Sequence, residues 1–452
     1  MSLPNTDLNY EQIDNIYRNA KNVFFIGIGG ISVSSLAKIC HLHGKRVFGY
    51  DSTPSEITLE LESFCHIKYC STPDSTRGMD LVVYTSAINE KNLEYAHAKR
   101  MGIPLISRAN FLGYIMKEYK IRLGVSGMHG KSTATAMLGH IFKVAGREPT
   151  ILCGGKMLNF DSHHAFLGQE CMIFEGCEYL NAFHSLYPTE VGITNLDLDH
   201  PDFFKSTDEV VSSFQKYIDR ANRVYINGDC PLSSKLKHKS IVKYGIVNKG
   251  CEYTGKIIGT DTKNHFEVFK FGIKNSEISL GLFGKHFIYD ALLAYAMASE
   301  NGIDKDAIKE GLSSFLGVGR RMECLGTYDG VTYFEDYAHH PTEIKASLEG
   351  LRSQGFNKIL CIYQAHTYSR SYFLREQFKN AFCDAYKLII LPTYSAREEN
   401  VYNVSDKDLS TLTGGIFIDD FTKIRGYVSD FNPDCVVIMG AGDIYKIKGL
   451  LI

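Results

Sequence analysis

Neither sign of charge is in excess in this 452-residue chain, where 49 Lys and Arg meet 51 Asp and Glu. No global field therefore draws it to nucleic acid or to an anionic membrane. Long uninterrupted apolar runs are missing, which argues against membrane insertion. The polar start, Met1 to Asp7, lacks a charged-then-apolar leader, and the expectation is a cytoplasmic protein. No Cys-x-x-Cys pair occurs among the twelve cysteines, which predicts buried, reduced thiols rather than a zinc knuckle or a disulfide framework. Internal repeats and low-complexity segments are absent too, and the length suggests about three domains.

What is present is an alternation of strand and helix patterns, the mark of parallel α/β sheets. Near the N-terminus an apolar run from Val23 meets Gly27-Ile-Gly-Gly, a helical pattern over Val33 to His43, and a strand from Arg46 ending at Asp51. This strand–glycine turn–helix–strand–acid unit predicts a Rossmann-like domain over 1–119, with Asp51 placed for a ribose or a neighbouring group. Ser32 stands where a third glycine is usual, which predicts slightly looser helix–strand contact.

The central segment, 120–317, opens on an apolar strand and Gly127-Met-His-Gly-Lys-Ser-Thr. A glycine turn running into a helix is a phosphate cradle: backbone N–H groups and the helix N-terminus face the anion. Lys131 adds charge and Ser132 offers a hydroxyl to Mg²⁺. The loop is short, since Val125 stands where the general pattern wants its first glycine, and His129 reads as a turn residue. Glu175, Asp199 and His200 follow later strands, the edge where Mg²⁺ ligands collect, and Glu178 is a weaker candidate. Exposed hairpins are expected between Asn248 and Ser279, and a helix, apolar on one face, over Tyr289 to Glu300. The last segment, 318–452, is expected to be a second Rossmann-like domain. It holds Arg321 at its start, then Asp336-Tyr-Ala-His-His-Pro-Thr-Glu and Gln364-Ala-His-Thr-Tyr-Ser-Arg. The first of these is also a plausible helix start capped by His340 or Thr342. Arg370 is suited to hold a carboxylate or phosphate bidentately.

In their order these clusters resemble the Mur ligases of peptidoglycan synthesis. Phe25-Ile-Gly-Ile-Gly-Gly-Ile, the phosphate loop, Glu175-Gly-Cys-Glu-Tyr, Thr194-Asn-Leu-Asp-Leu-Asp-His-Pro-Asp, Gly319-Arg-Arg-Met-Glu, the two C-terminal clusters and Ser395-Ala-Arg-Glu-Glu all take part. The Asp336 to Glu343 run points to the alanine-adding branch. The resemblance implies that ATP phosphorylates the lactyl carboxylate of UDP-N-acetylmuramate and that the amine of L-alanine displaces phosphate. Under it, Gly127, Met128, His129, Gly130, Lys131, Ser132 and Thr133 cradle ATP. Ser132 and Glu175 hold one Mg²⁺, and His200 helps hold a second. Arg321 and Asp336 touch ribose or phosphates, and Phe287 and Asp290 face the base. Tyr337, His339, His366 and Arg370 form the amino-acid end, with His339 and Arg370 counted as catalytic beside Lys131, Glu175 and His200. Gly29, Asp51, Ser86 and Arg108 lie along the UDP-sugar.

The chain departs from the family's pattern at Phe287 and Asp290, where asparagines are usual. An aspartate accepts from an exocyclic amine but lacks the amide's donor. Ser132 replaces a threonine and Ala365 a proline, and no candidate for a carbamylated lysine is evident. Competing expectations are a ligase that attaches a recycled murein tripeptide, a nucleotide-binding paralogue without catalysis, and, from Gly27-Ile-Gly-Gly alone, a NAD-dependent dehydrogenase.

Overall fold

The structure is a computed structural model describing residues 8–85, 88–160, 164–259, 263–396 and 398–452. These residues form three sheets. The first holds β1 (Asn22–Ile26), β2 (Arg46–Tyr50), β3 (Cys65–Lys68), β4 (Leu81–Tyr84) and β5 (Leu105–Ser107), all parallel, in the order 3-2-1-4-5. Continuous apolar runs form β1 and β4 because helices cover both faces of the sheet. Helix α1 (Ile31–Leu42) springs from the glycine turn.

The central sheet has ten strands among the described residues. Its parallel centre holds β6 (Arg122–Ser126), β7 (Pro149–Leu152), β9 (Cys171–Glu175), β10 (Glu190–Ile193), β11 (Arg223–Asn227) and β12 (Ile241–Gly245), while β8 (Ala165–Phe166) pairs antiparallel with β7 at one edge. Beyond β12 lie β13 (Tyr253–Gly259), β14 (Asn264–Lys270) and β15 (Ile273–Leu280), paired antiparallel as the expected hairpins. One face of them is buried through Tyr253, Phe266, Val268 and Ile278. Two helices pack together on the sheet, α2 (Lys131–Val144) and α3 (Lys285–Glu300). Helix α3 begins a turn before the predicted Tyr289. It is buried on most sides rather than one, since Phe287, Ile288 and Asp290 through Ala298 are all covered. It carries little polarity because it lies inside a layered interior.

The third sheet runs β16-β17-β21-β18-β19-β20, with β16 (Glu323–Tyr328) antiparallel to β17 (Val331–Asp336). The rest, β18 (Ile359–Gln364), β19 (Lys387–Leu391), β20 (Ile416–Phe417) and β21 (Cys435–Met439), are parallel. Helix α4 (Pro341–Ser353) follows β17. His340 caps it, accepting from the Thr342 N–H, and Glu343 completes a capping box. The expected cap is therefore there, and it also takes part in the site below. All twelve cysteines are free thiols, but Cys70, Cys324 and Cys383 are exposed, against the expectation that they are buried. No helix among the described residues is long and apolar enough to cross a membrane.

Candidate active site

Ligands of open α/β sheets collect at the carboxyl ends of the parallel strands. There β6 turns through Gly127 and Gly130 into α2. Both glycines have positive φ, +138° and +84°. A Cβ on Gly127 would come within 2.0 Å of the Thr194 hydroxyl, and one on Gly130 within 2.4 Å of Asp290. The turn is pinned from the end of β10. Thr194 Oγ1 and Asn195 Nδ2 donate to the His129 carbonyl at 2.6 and 2.9 Å, and the Met128 and His129 N–H groups donate to Asn195. Thr194 and Asn195 are thus parts of the cradle that the strand pattern alone did not disclose.

Lys131 Nζ folds over the loop, donating to the carbonyls of Gly127 and Met128, and lies 3.0 Å from Glu178. Glu178 is buried and also faces His200 Nε2 at 3.4 Å. Burial alone would raise its pKa, but Lys131 outweighs it and holds the carboxyl below the usual range. The weakest of the sequence candidates therefore joins Lys131 to His200. Beside them Ser132 Oγ donates to Glu175 Oε2 at 2.8 Å, and the Gly154 N–H donates to the same oxygen. A hydroxyl and a carboxylate this close make a hard-oxygen pair of the kind Mg²⁺ takes. Asp199 does not join them. It turns to the C-terminal domain and accepts from Arg370 Nε at 2.9 Å, with both side chains buried. Burial opposes ionisation, yet Arg370 holds Asp199 well below the usual carboxylate range. Arg370 also donates to the His366 carbonyl, so it is a domain tie before it is a free anion clamp.

A second tie crosses at the loop itself. His129 Nδ1 lies 3.0 Å from Glu343 Oε1 and its Nε2 lies 3.3 Å from Asp197 Oδ2. Burial disfavours a charged ring, but the two carboxylates prevail and lift the pKa to about 10. His129 is thus an imidazolium bridging loop, β10 end and α4, not a bare turn residue. His129, Asp197 and His340 are close enough to suggest a metal site. The ring atoms are already engaged, however: both nitrogens of His129 face carboxylates, and His340 Nδ1 accepts the cap N–H.

Above this tie is a cavity of about 280 Å³ lined by Gly130, Phe287, Asp290, Arg321, Asp336 and Ser347. Burial pushes Asp336 up to about 6 against the Ser347 hydroxyl and Arg321. Arg321 lies over the Tyr337 ring, 4.8 Å from its centroid. A separate cleft of about 1010 Å³ is walled by Tyr179, His200, His366, Arg370, Tyr394 and Glu398. His339 and His366 sit with ring centroids 5.7 Å apart. Burial, reinforced by Arg370, lowers them to about 3 and about 4, so both are neutral at pH 7.

In the first domain the Gly29 N–H donates to Asp51 Oδ2 at 2.8 Å, so the acid meets its neighbour in the turn. Arg108 donates to Ser32 Oγ at 2.8 Å. The serine in the third-glycine position is thereby a partner for Arg108. Ser86, and Arg397 of the Ser395 cluster, lie outside the described residues.

A phosphate loop, strand-end acids and a C-terminal domain tied across them define a nucleotide-dependent ligase of three α/β domains. Three family models match in order: the Mur ligase family catalytic domain over residues 22–120, the Mur ligase middle domain over 125–298, and the Mur ligase glutamate ligase domain over 320–442. The chain belongs to the Mur ligase family. It is 38% identical over 446 residues to the UDP-N-acetylmuramate–L-alanine ligase of Caldanaerobacter subterraneus, covering 94% of this chain and 96% of that one. It is 37% identical to the enzyme of the same name from Clostridium tetani, with 96% and 98% covered. Among solved structures, the UDP-N-acetylmuramate–alanine ligase of Thermotoga maritima superposes with a TM-score of 0.82 at 26% identity, over 96% of this chain and 98% of that one. A murein peptide ligase of Psychrobacter arcticus shares the fold, at TM-score 0.73 and 20% identity over 95% and 98%.

Proposed function

We propose that the chain is a cytoplasmic, ATP-dependent ligase that joins L-alanine to the lactyl carboxylate of UDP-N-acetylmuramate. The observation that carries this reading is the closed constellation Lys131–Glu178–His200 beside Ser132–Glu175, facing the neutral histidines and Arg370 of the C-terminal domain. We take the domains as 1–119 for the UDP-sugar, 120–317 for ATP and 318–452 for the amino acid. The tripeptide-adding alternative is disfavoured, because the murein peptide ligase matches in fold at 20% identity while relatives at 37–38% carry the alanine ligase name.

A carboxylate is a poor electrophile, and phosphorylation gives it a leaving group. The carboxylate oxygen attacks the γ-phosphorus of ATP, the bond to the β-phosphate oxygen breaks, and ADP leaves. The amine of L-alanine then adds to the acyl carbon, and the tetrahedral adduct expels phosphate with loss of a proton. Two anions must meet in the first step. Lys131 leaves its loop carbonyls and Glu178 to stand against the β/γ phosphates. Ser132 and Glu175 would hold one Mg²⁺, with His200 at a second; bound there, the ion screens phosphate charge. His339 and His366, neutral at pH 7, add no positive charge to the end of the cleft that receives the alanine ammonium, and the amine proton passes to the departing phosphate. Gly29, Asp51 and Arg108 line the UDP-sugar end, and Tyr337 closes the amino-acid end. The test is phosphate release in the presence of ATP, UDP-N-acetylmuramate and L-alanine. Lys131→Ala is expected to abolish it, and normal turnover in that variant sinks the assignment.

A further inference from the structure

Arg320 and Arg321 are neighbours in the chain, yet their side chains part company. Arg321 lines the cavity above the loop, while Arg320 lines neither cavity. Arg320 has φ +59°, in the left-handed region, and its side chain turns back into the C-terminal domain. There its Nε lies 2.9 Å from Glu335 Oε1, out of line for a hydrogen bond but close enough for an ion pair. Glu335 is fully buried and is shared with Lys448. One Nη of Arg320 donates to the carbonyls of Gly440 and Gly442 at 2.8 and 3.1 Å. The guanidinium also reaches two rings, 5.0 Å from the Tyr337 centroid and 5.1 Å from that of Tyr445. The Tyr337 N–H returns to the Arg320 carbonyl at 2.6 Å.

These contacts bear on the separate cleft. Tyr337, His339, His366 and Tyr394 form a row of four rings. Tyr337 meets His339 edge-on at 5.6 Å, His339 meets His366 at 5.7 Å, and His366 stacks on Tyr394 at 5.6 Å and 10°. Arg320 holds this row at both ends. At one end it lies over Tyr337. At the other it fixes Gly442, which packs so closely on Tyr394 that an added Cβ would come within 2.6 Å of that side chain. Ala441, between the two held carbonyls, lines the cleft with His366 and Tyr394.

We propose that Arg320 is a positioning residue for the acceptor amino acid: one guanidinium fixes both ends of the four-ring row and so sets the shape of the cleft end that receives L-alanine. This rests on the reading of that end as the amino-acid site. Arg320 acts through Tyr337 on one side and through Gly442 and Tyr394 on the other. The task suits arginine alone among the cations. It needs donors aimed at two carbonyls, a charge facing Glu335 and a flat face against aromatic rings. A lysine ammonium is a point charge and meets only the second need. The nucleotide cavity is served by Arg321, so the loss of Arg320 falls on the acceptor. Lys448 stays on Glu335 when Arg320 is replaced, and the buried acid is not stranded.

The experiment is steady-state phosphate release by the full chain and its Arg320→Met, Arg320→Lys and Glu335→Gln forms, with L-alanine, ATP and UDP-N-acetylmuramate varied in turn. Arg320→Met is expected to raise the KM for L-alanine at least about tenfold and to leave the other two KM values within about twofold. Arg320→Lys keeps the charge, loses the fork, and should still show a rise of at least about fivefold. Glu335→Gln leaves every cleft-lining side chain in place but loosens Arg320, and should raise the same KM at least about threefold. An unchanged KM for L-alanine in Arg320→Met overturns the proposal. So does an equal rise in all three KM values, the mark of a general structural role, or full recovery by Arg320→Lys. If the methionine form does not fold, the lysine form and Glu335→Gln still decide the matter. Absence of turnover in the unmodified chain would overturn the functional reading itself and the proposal with it.

Discussion

Replacing Glu343 by Gln should weaken the union of the central and C-terminal domains at neutral pH and leave it almost unchanged at high pH. Glutamine keeps an oxygen that can accept the His339 and His340 N–H groups, so the start of α4 survives. What is lost is one of the two negative charges on the His129 ring. The ring's pKa rises from an ordinary value of about 6.5 to about 10 in the folded chain. Because the folded value is the higher one, the stabilisation is complete below about pH 6.5 and is lost as pH climbs through about 10. At 1.36 kcal/mol per pKa unit the ceiling is about 5 kcal/mol, and the share of one carboxylate is about 2–3 kcal/mol. For domains of this size that is roughly 5–10 °C in melting temperature. Calorimetric melting of both chains near pH 6.5 and near pH 10 reads the difference directly. An equal loss at both pH values, or none near pH 6.5, would refute the imidazolium bridge.

Gly130→Ala should raise the KM for ATP and lower stability, since it meets both a positive φ and Asp290 at 2.4 Å; a melting curve and KM equal to those of the unmodified chain would contradict this. Arg370→Leu leaves Asp199 buried and unpaired and should cost about 3–5 kcal/mol, measured by denaturant unfolding. The double change Arg370→Leu with Asp199→Leu should recover much of that loss, because the uncompensated charge is gone. Ser132→Ala removes the hydroxyl beside Glu175 and should raise the Mg²⁺ concentration needed for half-maximal ligation, a titration of activity against Mg²⁺ being the check.

Much of the site could be read from the chain because strand ends, glycine turns and acids follow local rules. The loop at Gly127, the acids at Glu175 and Glu178 and the Asp336 to Glu343 run were all visible as patterns. Their assignments were harder. Glu178 looked inferior to Glu175, and Asp199 looked like a metal ligand. Which acid meets which cation depends on how two domains dock. Arg370 is 171 positions from Asp199, and Glu343 is 214 from His129. No periodicity encodes distances of that kind. The reach of α3 was underestimated for a related reason: its first turn carries Lys285 and His286 and looks like a loop until a cavity forms over it.

The bonds from Thr194 and Asn195 to the phosphate loop decide when that loop gives up its freedom. Fixing a backbone residue costs about 1–2 kcal/mol of conformational entropy. Here that ordering happens as the central sheet assembles, long before any nucleotide arrives. Nucleotide capture then owes little to loop freezing. A substitution at Thr194 or Asn195 would shift that ordering into the binding step and surface as a slower, weaker, more temperature-sensitive association.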